Sequence, residues 1–190
     1  MTPLTPLQTA KALFDALASN SWLAAAALVD VDSLAAWRDF AIASLADEAE
    51  FLSQPESSGA TLRQVLTDSN TVAARLQAHG DTVFPDLGLS LTLAQLAALP
   101  ASELFARYLE LTASLRRASG DQASPHLMGD IVENDSNAYA LYRWEGMGWP
   151  KAPHDVSVLC MRNGPSGWRC LVDRVTYGPS FPLVAPGRYG

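Results

Sequence analysis

The hydrophobic positions of this chain follow two rhythms. Through roughly the first two-thirds they recur every three to four residues, the period of an amphipathic helix; after His126 they alternate, the period of a strand. Leu13, Phe14 and Leu17 share one helical face, with Thr5 as N-cap, Pro6 at the first helical position and Gln8 completing a capping box. A second, short helix is predicted over Trp22–Val29. Asp32 or Ser33 then caps a longer one, whose apolar face is Leu34, Trp37, Ala41 and Leu45. It stops near Gln54, because Pro-Glu-Ser-Ser-Gly follows. Leu62, Val65, Val72 and Leu76 predict a further helix ended by Gly80 after His79, and then a loop with Pro85 and Gly88. Leu93–Leu99 reads as a helical turn. Leu104, Tyr108, Leu111 and Leu115 form an amphipathic stripe, and Arg116 and Arg117 suit the negative end of its dipole.

Gly120–Pro125 reads as a loop. Gly129–Glu133 and Asn137–Trp144 are predicted strands joined by Asn134-Asp135-Ser136. Asp155–Arg162 and Trp168–Val175 form a second hairpin across Asn163–Gly167. Pairing Arg162 with Trp168 would set Cys160 against Cys170 and Val158 against Val172. Two readings of the cysteines follow: reduced side chains packed as small apolar groups, or a cross-strand redox disulfide. Glu145–Pro153 is rich in Gly and Pro and reads as a loop, and residues 178–190 as an extended tail. With no internal repeat and no boundary, residues 1–190 form one α+β domain, its helical two-thirds packed on an antiparallel sheet of about four strands.

Composition narrows the function. Of 190 residues, 48% are hydrophobic and 17% charged, an ordinary globular mix, and the net charge of -7 argues against nucleic acid and anionic lipid as partners. The longest apolar run, Trp22–Val29, is far short of the roughly 20 residues of a membrane span. The N-terminus has no basic stretch leading into a long apolar one, so no secretory signal is expected and a cytoplasmic location is the default.

Known catalytic motifs are missing. The three histidines, His79, His126 and His154, accompany no G-x-S-x-G elbow, and the glycines of Gly164-Pro165-Ser166-Gly167-Trp168 are misplaced for one. H-E-x-x-H and C-x-x-C are absent, Asp30-Val31-Asp32 lacks the rest of a calcium loop, and no Gly-rich phosphate loop opens a helix. No metal or cofactor is therefore predicted. Tyr139, Tyr142, Arg143 and Trp144 on one strand could stack bases, but the acidic balance argues against it. Acid–base chemistry would need an ionisable group in an apolar pocket. Asp130, Asp173 and Tyr108 are the candidates, with Arg143 or His154 as partners. Alternation sets Leu141 and Arg143 opposite Tyr142 and Trp144, leaving open which pair points inward. Trp149, between Gly148 and Pro150, is the candidate for an interaction surface.

The final third, MGDIVENDSNAYALYRW followed by DVSVLCMRNGPSGWRCLVD, resembles the NTF2-like (SnoaL-like, cystatin-like α+β) superfamily. Gly129-Asp130-Ile131-Val132 and Trp168-Arg169-Cys170-Leu171-Val172 stand where that superfamily has a Gly-acidic-apolar strand and a Trp-basic-apolar strand. The resemblance implies a curved sheet folded over helices around a conical apolar pocket, with Tyr108, Asp130, Tyr142, Arg143 and Asp173 as pocket candidates. Many such proteins are non-catalytic modules for small apolar ligands or for association, here as a homodimer through the sheet. Others are isomerases, dehydratases or hydrolases, which would use a buried carboxylate. An acidic immunity or inhibitor protein is the third reading.

Overall fold

The computed structural model describes residues 4–53, 69–84, 90–118, 124–145 and 156–172. Among the described residues six helices come first: α1 (Pro6–Ala18), α2 (Trp22–Ala26), α3 (Val31–Ser53), α4 (Ser69–His79), α5 (Leu93–Ala98) and α6 (Ala101–Ala118). Strands β1 (Ser124–Val132), β2 (Asn137–Glu145), β3 (Ser157–Gly164) and β4 (Gly167–Cys170) follow, paired in that order into one antiparallel, curled half-barrel sheet. The fold is thus α+β, with the helices N-terminal to the sheet.

Helix starts follow their capping chemistry. Thr5 accepts the N–H of Gln8 at 3.3 Å and the Gln8 side chain accepts the N–H of Thr5 at 3.0 Å, the capping box expected for α1. Thr92 and Gln95 build the same box at α5. At α3 the expected cap is corrected. Asp30, rather than Asp32 or Ser33, accepts the N–H of Ser33 at 3.0 Å. A cap must stand before the first helical residue, and Val31 is that residue. Gly80 ends α4 as expected, and a Cβ there would come within 2.6 Å of the Leu76 carbonyl oxygen. The expected residues Leu62, Val65, Pro85 and Gly88 lie outside the described residues.

Two helices differ from their sequence patterns. α2 stops at Ala26, earlier than Val29, because the chain leaves the helix to run beside β4. Cys170 donates its N–H to the Leu28 carbonyl at 2.9 Å, and Asp30 donates its N–H to the Cys170 carbonyl at 2.8 Å. This parallel bridge covers an edge that would otherwise stand open. In α6 the buried face is Leu104, Phe105 and Leu109, while Tyr108 and Leu111 are half-buried on its flank. Phe105 decides this rotation, its ring standing edge-on to Trp37 of α3 at 4.9 Å.

β1 begins at Ser124, ahead of the expected start at Gly129. The segment includes Pro125, tolerated because β1 is an edge strand. Its alternation is also broken, by a bulge between Leu127 and Gly129 that accommodates Met128. The β3–β4 hairpin is corrected too. Arg162 pairs with Arg169, Gly164 with Gly167 and Met161 with Cys170, so Cys160 does not face Cys170. Pro165, with its fixed φ, suits the first corner of a type I turn, and Gly167 takes the left-handed conformation after it, at φ 82°. A one-residue slip moves every side chain to the other face. The two thiols therefore stand on opposite sides of the sheet and form no disulfide, which removes the disulfide reading.

The core lies between the helices and the inner sheet face. Leu13 and Phe14 of α1 share one buried cluster with Ala138, Ala140 and Tyr142 of β2, Leu159 and Met161 of β3, and Cys170. α6 packs mainly on α2 and α3. Arg38 of α3 donates from Nε to the Leu99 carbonyl at 3.1 Å and from Nη2 to the Ala97 carbonyl, holding the end of α5. Arg75 of α4 pairs with Asp47 of α3 at 3.6 Å. No helix among the described residues is long and apolar enough to cross a membrane.

Candidate functional site

The sheet presents two surfaces of different chemistry, assigned by the strand register. Tyr142 points inward. It stands between the outward-facing Leu141 and Arg143, which resolves the orientation that alternation left open. Its ring meets Phe14 of α1 edge-on at 5.4 Å, and the residue is fully buried. Burial pushes the Tyr142 phenol above its ordinary range, and a hydrogen bond with the Ser157 side chain pulls weakly the other way. Ser157 is its cross-strand neighbour on β3. At neutral pH this phenol is a proton-bearing group in an apolar setting.

The other pocket candidates do not gather around it. Arg143 is exposed on the outer face, opposite His126 of β1, so Tyr142 and Arg143 stand back to back. Asp130 pairs with Ala140 and so shares the inner side with Tyr142, but it lies on the edge strand and is exposed. Tyr108 belongs to the helical layer. Its ring lies 5.4 Å from Trp37 and 6.3 Å from Phe105, and its carbonyl accepts the Thr112 hydroxyl at 2.8 Å. Asp173, His154 and Trp149 lie outside the described residues. No group of three or more His, Cys, Asp or Glu side chains able to hold a metal ion occurs among the described residues.

Outward from the sheet runs an apolar strip. Cross-strand neighbours Ile131, Tyr139 and Cys160 form one row, and Gly129, Leu141 and Val158 the next. Leu171, whose N–H donates to the Cys160 carbonyl at 2.9 Å, extends the first row. Ile131 is 54% exposed and the other side chains of the strip are half-buried, in contrast to the buried Ala138, Ala140, Tyr142, Leu159 and Met161 on the inner face of β2 and β3. The Tyr139 hydroxyl donates to Glu133 Oε2 at 2.8 Å, and that bond to a carboxylate is the first cause that raises its pKa. Arg162 flanks the strip and reaches Asp30 at 3.4 Å.

Periodicity alone identifies this strip as one face of the sheet, but not as the outer one. Sequence spacing gives no sign of the anchors around Asp30, Ser33 and Arg162, since each bonds a residue more than 130 positions away in sequence. Comparison with known proteins finds no family model, no curated protein and no solved structure that matches the chain.

Proposed function

We propose that this chain is a non-catalytic association module of the NTF2-like kind, joining a second copy of itself through the outer face of its sheet. The observation that carries this reading is the strip formed by Ile131, Tyr139, Leu141, Val158, Cys160 and Leu171, which the helices among the described residues leave uncovered. Contiguous apolar surface of this kind is costly in water and marks contact sites. Two sheets stacked about 10 Å apart would interleave such strips and remove both from solvent. The resemblance of the final third to the NTF2-like superfamily supports the same reading. The small-ligand pocket implied by that resemblance would open on the concave side, beside Tyr142 and Phe14.

Sedimentation velocity on the full chain over a wide concentration range tests the proposal. The expected result is a dimer, shifted to monomer by Leu141→Asp and Val158→Asp, with unchanged far-ultraviolet circular dichroism. A wild-type chain that stays monomeric up to its solubility limit overturns it. So does a dimer that both substitutions leave intact.

A further inference from the structure

We draw no further inference here: the strongest candidate, the open edge of β1 with its exposed Met128, Ile131 and Val132, carries nothing because nothing among the described residues shows which segment or partner would pair with it.

Discussion

The backbone N–H of Val172 donates to the hydroxyl of Ser33, a buried hydrogen bond between residues 139 positions apart. Ser33 sits in the first turn of α3 and Val172 just past the end of β4, so the bond ties the helical layer to the last strand. Ser33→Ala would leave that buried N–H without its partner, a loss of about 1–3 kcal/mol. Urea denaturation of the two proteins would measure it. A change near zero would mean that water or a shifted backbone replaces the hydroxyl.

Asp30 stands three residues earlier and does two things. It caps α3 through the Ser33 N–H at 3.0 Å and pairs with Arg162 at 3.4 Å. The cap is the larger contribution, because the Arg162 side chain is 47% exposed and its ion pair is open to screening. Asp30→Ala should therefore destabilise by about 1 kcal/mol, whereas Arg162→Ala should cost a few tenths. Equal losses in denaturation midpoint, or a larger one for Arg162→Ala, would overturn this ranking.

Local chemistry made much of this fold legible. Thr5, Pro6 and Gln8 announce α1 from adjacent positions, and Asn134-Asp135-Ser136 marks a turn whose Asn134 side chain accepts the N–H groups of Ser136 and Asn137 at 2.8 and 2.9 Å. What failed depends on distance or on a single extra residue. Met128 adds a bulge that no alternation pattern anticipates, and the turn at Pro165-Ser166 moves the hairpin by one position. The rotation of α6 is set by Trp37, which is remote in sequence. The candidate site was the least legible part. Tyr142 and Arg143 are neighbours in sequence, yet the strand sends them to opposite faces, and no sequence period says which face the helices cover.

The corrected hairpin register has a direct chemical consequence for the thiols. Cys170 is buried and its pKa is pushed up to about 12 by desolvation, which outweighs the nearby Arg169. Cys160 lies half-buried on the other face. A thiol-reactive probe near neutral pH should therefore label Cys160 in the folded monomer, such as the Leu141→Asp chain, and reach Cys170 only after denaturation. Peptide mapping of the labelled sites would check this. A native Cys160–Cys170 disulfide would contradict the register itself.

Gly167 holds that register by adopting φ 82°, a conformation that strains any residue with a Cβ. Gly167→Ala should cost about 1 kcal/mol, felt first as faster amide exchange along β4. Gly164 makes a useful control, since a Cβ there meets nothing within 4 Å and its φ is not positive. Exchange rates that rise equally in both variants would show that the turn conformation does not set the pairing.

Tyr142 makes the stability of the fold depend on alkaline pH. Its phenol is buried beneath α1, and this burial raises the folded pKa above the unfolded value of 10.0. A group whose pKa is raised on folding keeps its proton longer in the native chain. Its contribution is present in full below about pH 10 and is lost as pH climbs towards the folded pKa. Stability should therefore start to fall as pH rises above about 10 and go on falling towards the folded pKa. Tyr142→Phe removes the titrating group while keeping the ring against Phe14, which stands 5.4 Å away. It should cost about 0.5–1.5 kcal/mol near neutral pH, through loss of the hydrogen bond with Ser157. In return, it should make the alkaline decline shallower than in the wild type. Urea denaturation of both proteins at matched pH values reads both effects. Parallel curves for the two proteins would place the alkaline decline in other groups.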